Sequence, residues 1–327
     1  MTDVARLAGV SHQTVSRVLN GHASVRPATR ARVLEAIEQL DYRPNLAARA
    51  LVTGRSRTLG LVTLDTTLFG PVTTLYGIER AARAAGYFVS VASLDTIHRR
   101  SVGDAVARLR DQVVAGIVLI APLISGVAAL ARLPTDLPIV VVEGDPEGDF
   151  ATVTVDQRTG AREATAHLLG LGHERVVHVA GPQEWFEARE RLAGWREALV
   201  AAGVDAPLPL LGDWSARSGF EAGGQIAKFG DVTAVFAAND HMALGVLRAL
   251  HEAGQAVPQD VSVVGFDDIA EAEYFTPSLT TVHQDFEEVG RRAVGLVLAQ
   301  LDAAPRRAAH VVIAPRFVVR DSTRPPS

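Results

Sequence analysis

Apolar residues in the first forty positions repeat at the spacing of short helices. Val4, Ala8, Val10, Val15 and Val18 fall where a pair of small helices needs its inward face. Ala5 is small where the two would cross, and Gly9 sits at the turn between them, free to take a positive φ. Ser11 stands as the expected N-cap of the second helix. Pro27 suits the first position of a third helix, and Val33, Ile37 and Leu40 supply the stripe that closes a three-helix unit. Tyr42-Arg43-Pro44 ends it. Asn45–Val52 is Ala-rich and helix-prone but too short to be stable alone in water. Thr53-Gly54-Arg55-Ser56-Arg57 follows as a basic linker. The composition fits either a helix that folds only when held or an ordinary linker with nascent helix.

From Leu59 onward, strand-like apolar runs alternate with helical patterns. Strands are predicted near 59–64, 87–92, 116–120, 139–142, 175–180, 234–238 and 261–265, with helices near 72–85, 101–114, 158–171, 187–202, 216–229 and 240–253. Thr280–Gln284 and Val311–Val319 read as crossovers and edge strands. The alternation predicts parallel sheets with helices on both faces. There is too much strand for one compact sheet, so two α/β lobes of similar size are expected. A ligand then belongs in the cleft between them, at the carboxyl ends of strands.

Composition adds a division of labour. The chain has 327 residues, 48% hydrophobic, enough for two or three compact units. No apolar run reaches the roughly 18 residues of a membrane span, and the first residues lack a signal-peptide core. The absence of cysteine excludes disulfides and thiolate chemistry and is compatible with the cytoplasm, the expected location. Net charge is −5, but residues 1–57 hold nine Arg against four acids, so a basic head precedes an acidic body. That is the layout of a nucleic-acid binder with a separate regulatory part. On the second helix, His12, Gln13, Ser16, Arg17 and Asn20 point outward with groups that hydrogen-bond to base edges or phosphate. A surface helix pair of an ordinary α/β protein is the alternative.

Several chemistries find no support. Neither a phosphate-binding G-x-x-x-x-G-K-[ST] loop nor a G-x-S-x-G elbow occurs, and Lys228 is the single lysine. His173, Glu174 and His178 have the wrong spacing for a zinc pair. They read as a solvated turn histidine and a strand histidine. No catalytic residue, metal site or cofactor is expected. At predicted strand ends, by contrast, Asn239, Asp240, Asp267 and Asp268 cluster with Arg191, Trp214, Gln284, Asp285 and Phe286. Carboxylate, amide and guanidinium together grip vicinal hydroxyls, and a tryptophan face stacks on a sugar. The alternative is that Asn239 and Asp267 merely cap the helices after them.

GVSHQTVSRVLN, RLAGW, GDWSARSGF, AANDHMALG and the pair VSVVGFDD with LTTVHQDF together resemble the LacI/GalR family, the likeness running from Asp3 to about Arg320. The resemblance implies a helix-turn-helix headpiece over 1–44, a hinge helix and linker over 45–57, and a two-lobed periplasmic-binding-protein-like core over 58–327. Lobe N would take about 58–154 and 286–313, lobe C about 156–283 and 314–322. It implies that His12, Gln13 and Arg17 read bases, and that Thr2, Ser11, Thr14, Ser16, Asn20 and Asn45 share the DNA contact. Leu51 would wedge into the minor groove beside the small Ala48. Asp65, Glu143, Arg191, Trp214, Asn239, Asp267 and Phe286 match sugar-pocket positions.

The function so implied is a cytoplasmic repressor of carbohydrate-utilisation genes, not an enzyme. It would bind a palindromic double-stranded operator as a homodimer and be released by a small sugar of the galactoside class. Three places depart from the galactoside-responsive pattern: His12 stands for tyrosine, Glu143 for aspartate and Leu64-Asp65 for two serines. The chain begins a few residues late for the family pattern, so Met1-Thr2 opens the first helix. A leucine-repeat tail for tetramers is missing, so a dimer is expected. A transport component, an α/β enzyme acting on sugars, and a regulator answering a purine or phospho-protein co-repressor are the rival readings.

Overall fold

The computed structural model describes residues 1–19, 22, 24–42, 56–64, 67–97, 99–124, 136–144, 150–301 and 309–326. The chain divides into two compact units, Met1–Arg57 and Thr58–Ser327.

The first unit holds α1 (Thr2–Leu7), α2 (His12–Leu19) and α3 (Pro27–Gln39). Its core is Val4, Ala5, Ala8, Val15, Val18, Val33 and Ala36, with Val10, Ile37 and Tyr42 packed against it. Gly9 makes the turn at φ +63. Ser11 Oγ accepts the Thr14 amide at 3.2 Å, satisfying one orphan donor at the start of α2. Pro27 opens α3, where its missing N–H costs no helical bond. Leu40 departs from expectation. It lies one residue beyond the end of α3 and is 43% exposed, and Ala36 takes the inward place within the helix.

The second unit contains two helix-covered sheets. The six-stranded one has the order β11-β5-β4-β3-β1-β2, built from β1 (Thr58–Leu64), β2 (Phe88–Leu94), β3 (Gly116–Ile120), β4 (Ile139–Val142), β5 (Ala151–Val155) and β11 (His310–Ile313), all parallel. One face packs on α4 (Phe69–Ala84) and α10 (Phe286–Leu301) through Leu61, Ile78, Val118, Val140 and Val289. The other packs on α5 (Arg99–Asp111) through Val62, Val106, Leu109, Ile117 and Val141. Successive strand residues supply opposite cores, the period-two logic of a sheet buried on both sides.

The four-stranded parallel sheet has the order β7-β6-β8-β9, from β6 (Val176–Ala180), β7 (Leu210–Leu211), β8 (Ala234–Ala237) and β9 (Ser262–Val264). α6 (Gln157–Gly170) and α7 (Phe186–Ala201) cover one face, α8 (Ala216–Ile226) and α9 (Asp240–Glu252) the other. An antiparallel pair, β10 (Thr281–His283) and β12 (Arg316–Val318), runs beside β9 through the bridges Val264–Thr280 and Asp267–His283. The chain therefore crosses between sheets near Asp156, Gln284 and Ile313. α4 and α10 approach over two glycines: a Cβ at Gly77 would come 2.5 Å from the Phe286 carbonyl oxygen, and one at Gly290 would strike the Gly77 backbone.

Strand β5 and helix α10 were not among the predicted elements, although α10 carries a plain i, i+3, i+4 series in Phe286, Val289, Ala293, Val294 and Val297. His173 is a second correction. It is buried, not solvated, its ring bonded to the Thr233 and Ser262 hydroxyls and the Arg324 carbonyl, because the C-terminal segment folds back over it. His178 does lie in a strand, β6, fully buried between Trp195 and Phe236. No helix among the described residues is long and apolar enough to cross a membrane, and none of their His, Asp and Glu side chains group to hold a metal.

Candidate functional site

A cavity of about 360 Å³ lies at the carboxyl ends of both sheets in the second unit. Six of the seven expected pocket residues line it: Glu143, Arg191, Trp214, Asn239, Asp267 and Phe286. Asp65 lies outside the described residues.

At its floor four side chains close a ring. Arg191, on α7, donates from Nε to Gln157 Oε1 at 2.9 Å. Gln157 Nε2 donates to Gln284 Oε1 at 2.8 Å, and Gln284 Nε2 donates to Asp267 Oδ1 at 2.7 Å. Arg191 Nη1, 3.5 Å from that same oxygen, completes the circuit and also donates to the Ala238 carbonyl. The guanidinium lies 3.8 Å from the Phe266 ring centroid and 5.4 Å from that of Trp214. Both ionic members are buried, Arg191 at 4% and Asp267 at 7% exposure. Such networks are rigid when complete, and removing one member strands the rest. Burial pushes the Asp267 carboxyl up and the Arg191 guanidinium down, each partly offset by the other's charge.

The remaining residues are set by local structure. Asn239 is the N-cap of α9, its Oδ1 accepting the Met242 amide at 2.8 Å, while Nδ2 donates to the Trp214 carbonyl at 3.1 Å. Capping is thus part of what Asn239 does. Asp267 caps nothing and belongs to the ring. Phe286 begins α10 and meets Phe69 edge to face at 5.8 Å. Trp185 meets Trp214 likewise at 5.9 Å. Glu143, Trp214 and Asp267 all have left-handed backbones, with φ of +55, +74 and +108. Conformations that cost non-glycine residues energy tend to gather at working sites.

Glu143 follows β4 and accepts the Val155 amide at 3.2 Å. Burial raises its carboxyl to about 7, opposed by the Val155 hydrogen bond and the charge of Arg191. Glu187, also lining the cavity, has its Oε2 sealed from solvent without a hydrogen-bond partner among the described residues. Burial drives it well above the usual carboxylate range, and the charge of Glu143 pushes the same way. Nothing local singles out Glu187, since an acid in the first turn of a helix ordinarily complements the dipole in water. Gln157, Trp185, Phe69 and His241 are further lining residues that patterning did not identify.

On α2 of the first unit, His12, Gln13 and Arg17 are exposed, and Thr14 and Ser16 half-buried; Thr2 and Ser11, at the starts of α1 and α2, are exposed. Asn20, Asn45, Ala48 and Leu51 lie outside the described residues.

Comparison with known proteins accounts for both halves. Residues 1–45 match the bacterial regulatory proteins of the lacI family, and residues 165–323 match the periplasmic binding protein-like domain. The chain is 35% identical to the lactose operon repressor of Klebsiella pneumoniae, over 99% of this chain and 92% of that one. It is 34% identical to the ribose operon repressor of Escherichia coli K12, over 98% and 99%. Its fold superposes on a crystal structure of the lac repressor dimer bound to operator and the anti-inducer ONPF with a TM-score of 0.88, at 34% identity and 98% coverage of each chain. These relatives are transcriptional regulators, not enzymes. The chain belongs to the LacI family of DNA-binding transcriptional repressors, with a helix-turn-helix headpiece and a two-lobed periplasmic-binding-protein-like core.

Proposed function

We propose that this protein represses carbohydrate-utilisation genes from a palindromic operator, which it holds as a homodimer until a small sugar of the galactoside class enters the cavity. The observation that carries the reading is the ring Arg191–Gln157–Gln284–Asp267. It spans α6, α7, the end of β9 and a crossover between sheets, beside the aromatic faces of Trp214 and Phe286. A sugar gripped there and by Glu143, on the other sheet, touches both lobes and biases their angle. Relatives named for lactose and ribose operons support a sugar while differing over which one; the lactose relative favours a galactoside.

In this reading residues 1–44 form the headpiece and 45–57 the hinge. His12, Gln13 and Arg17 read base edges, and Thr2, Ser11, Thr14, Ser16, Asn20 and Asn45 hold the backbone. Ala48 and Leu51 enter the minor groove. Edge strand β2 exposes Phe88 and Val91, an apolar margin that a second copy would cover.

Fluorescence anisotropy with a dyad-symmetric duplex and a scrambled competitor tests the division of roles. Arg17→Ala removes the preference for the operator while salt-sensitive binding to bulk DNA persists. Asp267→Ala keeps operator binding and loses release by sugar. An Arg17→Ala protein with undiminished operator discrimination, or an Asp267→Ala protein with a normal sugar response, refutes the assignment concerned.

A further inference from the structure

The cavity holds more acid than a neutral sugar needs. Glu143, Glu187 and Asp267 line it, with Asp240 buried just behind Asp267. Against them stand Arg191 and His241. Arg191 is committed to Asp267, Gln157 and the Ala238 carbonyl, and His241 acts on Asp267. Asp240 is satisfied by the Ile269 amide and the Thr281 hydroxyl. That leaves Glu143, held by the Val155 amide and the Gln157 side chain within the field of Arg191, and Glu187, whose Oε2 has no partner among the described residues. The two carboxyls lie within each other's field and repel. Beside them the buried Trp214 has an indole N–H that likewise has no acceptor among the described residues.

We propose that the effector is an amino sugar whose protonated primary amine seats between Glu143 and Glu187. The inference rests on the reading of this cavity as the effector site and names the ligand's chemical class. An ammonium group carries three donors and no acceptor, so it satisfies both carboxylates at once and leaves none of its own atoms unpaired. A neutral hydroxyl brings one donor and no charge, and the repulsion between the two acids persists unless one keeps its proton. Empty, the pair resists carrying two charges, because burial and mutual repulsion both disfavour full ionisation there. When the ammonium arrives with its protons intact, the carboxyls ionise and the displaced proton passes to the buffer. The indole N–H then meets a ring or hydroxyl oxygen of the same ligand.

The test is titration calorimetry of the full chain with D-galactosamine and D-glucosamine, each against its neutral parent and its N-acetyl derivative. It is run at about pH 6.5, below the ordinary range of an aliphatic amine, in two buffers of different ionisation enthalpy. The expected result is that one amine binds at least about tenfold tighter than its parent and N-acetyl form, with proton release. Glu187→Gln, shown to fold by its operator binding, loses both the preference and the release. A parent sugar binding as tightly as its amine, without proton release, overturns the inference and leaves the cavity as a neutral-sugar site. Failure of every sugar to bind overturns the inference together with the reading of the cavity.

Discussion

Glu143→Gln should stabilise the sugar-free protein at alkaline pH, and the size of the gain follows from the site. The Glu143 carboxyl is held at about 7 against an ordinary 4.5, chiefly by burial. The folded state therefore binds a proton more tightly than the unfolded chain. Between those two values the folded protein holds a proton that the unfolded one has lost, so stability declines as pH rises. At about 1.4 kcal/mol per pH unit, the full decline is on the order of 3 kcal/mol, complete once pH passes 7. Glutamine keeps the shape and the oxygen that accepts the Val155 amide but has nothing to ionise. Urea unfolding of both proteins at about pH 5.5, 7 and 8.5 reads the difference as a shift in midpoint at constant slope. The variant should fall less steeply than the natural protein, since the raised Glu187 and Asp267 carboxyls still titrate, and should be more stable by about 2–3 kcal/mol at the highest pH. Equal pH dependence in the two proteins, or a variant weaker at alkaline pH, would show that Glu143 is not buried as a strained acid.

Further consequences concern the acid limb and the core. Burial holds His178 down to about 3, so the unfolded chain takes up its proton first, and stability falls as pH drops from 6.5 toward 3. His178→Phe should remove roughly 1.4 kcal/mol per pH unit from that slope in urea titrations between about pH 6 and 4; an unchanged slope contradicts the assignment. Gly290→Ala forces α4 and α10 apart, because its Cβ would strike the Gly77 backbone, and should cost about 1–3 kcal/mol by thermal or urea unfolding. A neutral result would mean that the helices do not cross this closely in solution.

Much of this architecture is written in local pattern, and the exceptions share a cause. Val4, Val15, Val18 and Val33 meet in the headpiece core because a 3.6-residue period leaves them no other face. Leu40 breaks the rule because the helix stops at Gln39 and periodicity says nothing past a helix end. Strand β5 alternates Ala151, Val153 and Val155 inward, but its neighbours Thr152 and Thr154 mask it as a polar connection. Helix α10 is masked by the polar Gln284-Asp285 that precedes it and reads as a crossover. At the cavity, Asn239 and Asp267 are legible because they follow strand-like runs, and Arg191 and Trp214 because the segments RLAGW and GDWSARSGF carry them. Gln157 and Glu187 are not, since their meaning arises only when α6 and α7 bring them against Gln284 and Glu143, which lie on other elements far along the chain. His173 is similar: nothing local foretells that the chain's last residues will cover it.

The most direct experiment measures both ends of one linkage. Operator affinity is determined by anisotropy with and without saturating sugar, and sugar affinity by calorimetry on free and operator-bound protein. If the cavity controls the headpiece, the factor by which sugar weakens operator binding equals the factor by which operator weakens sugar binding. Sugar that binds the cavity with the same affinity whether or not the operator is present would contradict it.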